Sequence, residues 1–344
     1  ATPVAAKVEV PTHHALYPAN GSPTGVFNQP ASSAPASVVF YLAANGDGKS
    51  AGVRVDSADF SDVDAVISKH CCELTNNTHA PELCAPGSGA RLINDAGVRL
   101  LSFADVEPNQ RVYCVPQGVH FVWPLVRVGN VVYPKNVVGP HPERPIKMTQ
   151  MTEQPRVFTV DNFVSHAEIE ELLENNRDRL TPSEVGFAGW QDSTRTSSTS
   201  WDFTSPAAIA IQTRTFQLLG MDVEPRLADA MQVLRYTSDG YMGKGEWYKP
   251  HVDWFSADGY DGSDPKVNNG TNRFATMFLY LSTVEEGGHT VFPLSTTHEG
   301  YDGRKIVHDG TVNTPGYINT AEARAACNVS ATTALRVPPI AGNA

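Results

Sequence analysis

His251 and Asp253 set the chemistry this chain could do, one residue apart in Tyr248-Lys249-Pro250-His251-Val252-Asp253-Trp254. On an extended segment side chains alternate faces with period two, so the imidazole and the carboxylate point the same way. So placed, they make two of the three corners of the facial triad that holds non-haem Fe(II) and leaves positions open for a co-substrate and O2. The third corner is expected to be a second histidine further on, and no convincing one precedes Ala344. A lone His-x-Asp is most often a surface hydrogen bond, so its surroundings decide its meaning.

Three features accompany it. Tyr236 and Tyr248 flank the approach, Arg273-Phe274-Ala275-Thr276-Met277-Phe278-Leu279-Tyr280-Leu281 is a mostly apolar run suited to a barrel wall, and Gly287-Gly288-His289-Thr290-Val291-Phe292-Pro293 turns into another strand. Together these resemble the catalytic domain of prolyl 4-hydroxylases, a branch of the Fe(II)/2-oxoglutarate dioxygenases. The family pattern is Tyr, a short glycine-containing link, Tyr, two residues, His-x-Asp; then Arg-x-x-Thr before Tyr-Leu; then Gly-Gly-x-Thr-x-Phe-Pro. The resemblance runs from about Pro155 to Ala344.

The resemblance implies specific roles. His251 and Asp253 would be the catalytic iron ligands, Tyr236 would hydrogen-bond the co-substrate, Tyr248 would line the pocket behind the metal, and Thr290 would join the co-substrate site. Arg195, Ser197 and Ser198 match an Arg-x-Ser segment bordering the peptide groove. Read from residue types alone, both tyrosines are barrel core and Arg195-Thr196-Ser197-Ser198 is a polar turn. His289 occupies the variable position of its motif and reads as a strand or edge histidine, while His298 and His308 lie in a Gly/Asp-rich stretch that reads as a surface loop. The link from Thr237 to Trp247 is longer than the family's. Leu335 to Ala344 resembles the strand and glycine turn that precede the distal histidine and the lysine that binds 2-oxoglutarate; neither is present. The chain as given is therefore expected to bind iron weakly and turn over little.

The function so implied is hydroxylation of peptidyl proline to 4-hydroxyproline, with Fe(II), 2-oxoglutarate as co-substrate and ascorbate, on a proline-containing peptide or protein. Nothing in the spacing selects proline. Two alternatives stay open: a non-catalytic peptide-binding protein on a decayed dioxygenase scaffold, and a 2-oxoglutarate oxygenase with another substrate.

The elements that must position these residues give an α+β protein. The resemblance implies a double-stranded β-helix (jelly-roll) with supporting helices, lacking its last strands, over 156–344. Within it Pro155–Val160 reads as a strand, Ser165-His166-Ala167-Glu168 as a capping box opening a helix with Ile169, Leu172 and Leu173 on one face, and Ser205-Pro206 as a second helix start. Strands are expected at 231–236, 248–254, 273–281, 289–293 and 335–338. Ahead of this domain, 1–36 is rich in Pro, Ala and Ser and reads as a disordered arm. Residues 37–130 resemble a small β-grasp (ubiquitin-like) domain: a hairpin from Val38–Leu42 to Ala51–Val55 around Asn45-Gly46-Asp47-Gly48, a helix from Ser61 with Val63, Val66 and Ile67 on one face, then strands at 91–93, 98–101 and 111–115. Its plain reading is a docking or spacer module. Residues 131–155 carry five prolines and read as a linker.

At 344 residues with 41% hydrophobic and 18% charged content, the chain can bury ordinary globular cores. Net charge is −11 with a pI near 5.4 and no Lys/Arg run, which argues against nucleic acid or an anionic membrane as partner. No apolar run reaches the roughly eighteen residues of a membrane-spanning helix. Sequons at Asn20, Asn76, Asn269 and Asn328 tilt the chain toward the endoplasmic reticulum lumen or secretory pathway. The five cysteines leave their pairing open, and oligomeric state is not legible.

Overall fold

The computed structural model describes residues 37–184, 195–239, 245–251, 253, 273–293, 295 and 334–344. The architecture is mixed α+β, with several small sheets and few helices. No helix among these residues is long and apolar enough to cross a membrane.

The first sheet contains β1 (Val39–Ala44), β2 (Val53–Asp56), β3 (Arg91–Asn94) and β4 (Arg111–Val115), in the order β2-β1-β4-β3. β1 pairs antiparallel with β2 and parallel with β4, and β3 pairs antiparallel with β4. The expected turn closes the hairpin: Asp47 Oδ1 accepts from the amides of Lys49 and Ser50, at 2.9 and 3.0 Å. Gly48 is needed there, because a Cβ would meet the Leu125 carbonyl oxygen at 2.5 Å.

Between β2 and β3 runs a helical stretch: α1 (Val63–Val66), a π-type turn Ile67–Cys71 and α2 (Cys72–Leu74). Val63, Val66 and Ile67 are buried as their stripe requires, though Asp62 rather than Ser61 is the N-cap. Disulfides Cys71–Cys114 and Cys72–Cys84 staple this stretch to β4 and to the turn before β3. Val98–Leu101, expected as a strand, contributes only one bridge, Ile93↔Arg99.

The first sheet uses both faces. Phe40, Leu42, Leu92, Val112 and Cys114 pack with the helical stretch. Ala43, Ile93, Tyr113 and Val115 instead join Phe121, Trp123 and the apolar residues of the C-terminal half in one core.

The stretch expected to be a linker carries regular structure. β5 (Val131–Val132) and β6 (Lys147–Thr152) lie in it, and β6 pairs antiparallel with β7 (Val157–Asp161) in the order β5-β6-β7. The prolines at 134, 140, 142, 145 and 155 all fall outside β6, which is why the strand survives their density. In the same stretch Asn136 Nδ2 donates to the Gln217 carbonyl, and nearby Trp123 Nε1 donates to the Leu218 carbonyl at 2.8 Å. Both groups satisfy orphan carbonyls at the end of a later helix.

That later pair is α3 (His166–Asn176) and α4 (Pro206–Leu218). The capping box forms as expected: the Glu168 amide donates to Ser165 Oγ at 3.2 Å, and the Ser165 amide to Glu168 Oε2 at 2.8 Å. Arg214 of α4 reaches the same carboxylate, Nη2 to Oε1 at 2.7 Å, and donates through Nη1 to the Phe163 carbonyl at 2.6 Å. Both charged side chains are largely buried.

The next sheet orders β8 (Thr181–Pro182), β9 (Ser198–Asp202) and β10 (Met231–Arg235) as β10-β9-β8, all antiparallel. Ser198, expected in a polar turn, thus opens a central strand. The polar side chains of β9 are compatible with burial because Asn176 serves two of them: Ser200 Oγ donates to its Oδ1 at 2.8 Å, and its Nδ2 donates to Asp202 Oδ2 at 2.9 Å.

β11 (Thr290–Phe292) pairs antiparallel with β12 (Leu335–Val337). Among the described residues no named strand covers 248–254 or 273–281, although Tyr248 and His251 are bridge residues; Phe274 and Phe278 are exposed. A mostly apolar run needs a neighbouring backbone row to become a strand, and among the described residues that row is seen at Tyr280. Its amide donates to the Asn343 carbonyl and its carbonyl accepts from the Gly342 amide, both at 3.0 Å.

Glu168 gives a test of this frame. Burial pushes its carboxyl up, but the Arg214 guanidinium and the Ser165 amide and hydroxyl together hold it below the usual glutamate range. A carboxyl lowered in the folded state contributes stability that is complete above its unfolded value of 4.5 and is lost as pH falls through the folded value. Glu168→Gln should cost about 3 kcal/mol at pH 7, because the Arg214 charge stays buried without its partner. It should also flatten the acid limb of the denaturant-midpoint profile below about pH 4.5. An unchanged midpoint across that range would show the pair to be idle.

Candidate functional site

His251 and Asp253 are brought to one side: His251 Nε2 lies 3.5 Å from Asp253 Oδ1. The other ring nitrogen, Nδ1, is 2.8 Å from the Lys249 carbonyl oxygen. A carbonyl only accepts, so in the neutral ring Nδ1 carries the proton and Nε2 directs its lone pair toward Asp253.

This is the donor arrangement a metal needs. Two ligand atoms about 2.1 Å from an octahedral ion and at right angles about it stand roughly 3 Å apart. The 3.5 Å opening is a small side-chain adjustment from that bite. Among the described residues no third His, Cys, Asp or Glu completes a metal-holding group. His289 is exposed, while His298 and His308 lie outside the described residues. The residues present therefore fit two corners of a facial triad.

Asp253 is braced from a second segment. Thr276 Oγ1 donates to its Oδ2 at 3.0 Å, and Arg273 Nη1 stands 3.5 Å from its Oδ1. Arg273 Nη2 also lies 3.3 Å from Asp229 Oδ2. A His251 ring carrying protons on both nitrogens donates through Nε2 and is the chief cause holding the Asp253 carboxyl down at about 2; burial opposes it, and Thr276 and Arg273 add to the lowering. The carboxylate is thus ionised and ready to coordinate.

His251 is held from the other side by a continuation of the β9–β10 sheet. The Trp247 carbonyl accepts from the Thr196 amide at 3.0 Å, and the Trp247 amide donates to Thr196 Oγ1 at 2.9 Å. The Glu246 amide donates to the Thr237 carbonyl at 2.9 Å, and the Thr237 amide to Glu246 Oε2 at 2.7 Å. Tyr248 bridges to Arg195, and its ring stacks on His251 with centroids 3.9 Å apart. The Arg195 guanidinium sits 4.7 Å from the Tyr248 centroid, within cation–π range.

The expected site residues separate into those gathered here and those placed elsewhere. Arg195, Tyr248, His251 and Asp253 form one cluster. Ser197 is 1% exposed, with its Oγ 2.9 Å from Ser183 Oγ and 3.3 Å from Arg195 Nε, so it holds Arg195 from inside. Ser198 is half-buried at the start of β9. Tyr236 follows β10 with its side chain 41% exposed. Thr290, on β11, accepts from the Tyr280 hydroxyl at 2.8 Å, and that hydroxyl also lies 3.3 Å from the Val337 carbonyl. Thr276 and Arg273 were legible only as parts of an Arg-x-x-Thr pattern, without a role. Asp229 had no signal in the sequence.

Curated relatives match part of this chain. The chain is 28% identical over 178 residues to probable prolyl 4-hydroxylase 7 of Arabidopsis thaliana, covering 49% of this chain and 51% of that one. It is 33% identical over 155 residues to probable prolyl 4-hydroxylase 3 of the same plant, with 41% and 46% covered. It is 32% identical over 166 residues to prolyl 4-hydroxylase subunit alpha-1 of Gallus gallus, with 46% and 29% covered. The chain thus spans about half the length of the plant relatives and under a third of the chicken subunit. No family model matches. The similarity supports a prolyl 4-hydroxylase-like region within this chain.

The tautomer is directly measurable. Nitrogen-15 NMR of the neutral His251 ring should show Nδ1 protonated and Nε2 bare, the less common form for a free imidazole. A proton on Nε2 would mean that the Lys249 carbonyl does not set the ring.

Proposed function

We propose that this chain carries the metal-binding core of an Fe(II)- and 2-oxoglutarate-dependent hydroxylase that converts peptidyl proline to 4-hydroxyproline. The observation that carries the reading is the approach of His251 Nε2 to Asp253 Oδ1, with the ring oriented by the Lys249 carbonyl. The similarity to proteins named prolyl 4-hydroxylase supports proline as the substrate residue.

In this reading His251 and Asp253 hold the iron. When bound, Fe(II) with 2-oxoglutarate and O2, kept reduced by ascorbate, supplies the oxidising power to replace a C–H bond with C–OH. The chain's own residues do the positioning. Thr276 fixes the unused oxygen of Asp253, so Oδ1 faces inward, and Arg273 balances the carboxylate's charge while sharing itself with Asp229. Tyr248 restrains the His251 ring, and Arg195, stacked on Tyr248, presents a planar cation beside the site, with Nε donating to Ser197 Oγ and Nη1 to the Glu184 carbonyl. Peptide carbonyls are natural partners for such a cation. Tyr236 and Thr290 are assigned to the co-substrate on the resemblance alone.

The parallel β1–β4 pair, with a helical crossover between β2 and β3, supports reading residues 37–130 as a β-grasp module. The antiparallel β8–β9–β10 and β11–β12 sheets support a jelly-roll for the remainder. The two disulfides support an oxidising compartment, in keeping with the endoplasmic reticulum lumen or secretory pathway.

Incubation with proline-rich peptides, Fe(II), 2-oxoglutarate and ascorbate should yield only a little succinate and hydroxyproline from the chain as given, and His251→Ala or Asp253→Ala should abolish both. Oxygen placed on another side chain would replace proline as the substrate. Tight peptide binding without turnover at saturating iron would favour the non-catalytic reading. Thr276→Val should weaken anaerobic metal binding about tenfold, the usual cost of losing a group that orients a ligand. Unchanged affinity in a titration followed by tryptophan fluorescence would remove Thr276 from the site.

A further inference from the structure

We propose that Asn76 is an N-glycosylation site, its modification placed on the outer layer of the N-terminal module. This rests on the secretory-compartment reading above. Asn76-Asn77-Thr78 is an acceptor tripeptide, and the fold presents it in a way that chance tripeptides often lack. It lies in the turn ending α2, where the Asn76 amide donates to the Glu73 carbonyl at 3.2 Å and the Asn77 amide to the Cys72 carbonyl at 2.8 Å. Asn76 adopts φ +57°, a left-handed conformation that asparagine tolerates better than most residues. The turn directs Asn76 and Thr78 outward, both exposed, while the Asn77 side chain bends back to Thr75. The Asn76 carboxamide makes no hydrogen bond among the described residues.

An independent observation concerns the compartment. Cys71 and Cys72, just before this turn, are both in disulfides, which form where the chain folds under oxidising conditions. The segment bearing Asn76 therefore matures in the type of compartment where a lipid-pyrophosphate-linked oligosaccharide is the glycosyl donor. In that transfer the carboxamide nitrogen bonds to the anomeric carbon of the sugar. The carbon–oxygen bond to pyrophosphate breaks, the lipid pyrophosphate leaves with the electron pair, and one amide proton is released.

The location has a consequence. The helical stretch covers one face of the first sheet, and the opposite face joins the core shared with α3 and α4. A glycan at Asn76 would hydrate the outer layer and leave that shared core untouched. It would also exclude protein partners from the turn.

The test is to express the full chain behind a cleavable secretory leader in a eukaryotic cell and map its peptides. Release by a peptide N-glycosidase in heavy-oxygen water should convert Asn76 to labelled aspartate. Thr78→Ala should abolish the mark and Thr78→Ser retain it; both spare the left-handed backbone that Asn76→Gln would strain. Near-complete recovery of bare Asn76 from protein whose Cys71–Cys114 and Cys72–Cys84 bonds are formed would overturn this inference alone. Recovery of those four cysteines as free thiols would overturn the compartment reading and this inference together.

Discussion

One carboxylate organises the candidate site. Asp253 is ionised, partly buried and contacted by His251, Thr276 and Arg273, from segments whose described parts hold isolated pairings and no named strand. The stability of that cluster must therefore be supplied from outside it. On one side the support is the C-terminal stretch. The Tyr280 backbone pairs with Gly342 and Asn343, the Gly342 carbonyl accepts from the Phe163 and Val164 amides, and Ala344 exchanges two hydrogen bonds with Val160 at 2.7 and 2.9 Å. The run bearing Thr276 is thus tied through residues 342–344 to the end of β7. Gly342 makes this possible: its φ is +88°, and a Cβ would meet the Val164 carbonyl oxygen at 2.9 Å.

On the other side the support is the β9–β10 sheet, which reaches His251 through Thr196, Trp247 and Tyr248. That sheet is locked to the helices by polar groups rather than apolar packing alone. Asn176 joins the end of α3 to β9, Asp202 caps the approach to α4, and Arg214 joins α4 to the first turn of α3. Each is a buried polar group with its partners supplied, which fixes orientation where apolar contacts would allow sliding. The imidazole and carboxylate are therefore carried on two supports, themselves joined at Phe163, whose amide donates to the Gly342 carbonyl and whose carbonyl accepts from Arg214.

What was legible in the sequence follows from how local each signal is. The His251–Asp253 pairing, the capping box at Ser165, Pro206 at a helix start and the first hairpin are all set within a few residues, and all appear in the structure. The misread segments depend on distant partners. Residues 273–281 have strand composition but, among the described residues, pair with a neighbouring row at Tyr280 alone, whereas β6 has buried Gln150 and Thr152, which hide a strand in a proline-rich neighbourhood. Ser197 read as part of a polar turn because nothing local announces Ser183 as its partner. The contacts of Thr276 and Arg273 with Asp253 cross 23 and 20 residues, so their spacing carried a pattern but no geometry. Five cysteines admit too many pairings for the sequence to choose among them.

The N-terminal sheet is more than a spacer by the same physical standard. A tethered module would leave its inner face solvated, yet Tyr113, Phe121 and Trp123 are buried in the core that also holds Ile211 and Leu218. Trp123 and Asn136 moreover complete the hydrogen bonding at the C-terminus of α4. Four carbonyls at a helix end need partners, and here two come from outside the helix and its sheet. The chain of support thus runs from the first sheet to α4, through Arg214 and Glu168 to α3, and through Asn176 to β9. From there Thr196 and Tyr248 carry it to His251, so loosening the first sheet would be felt as a loss of orientation at the ring.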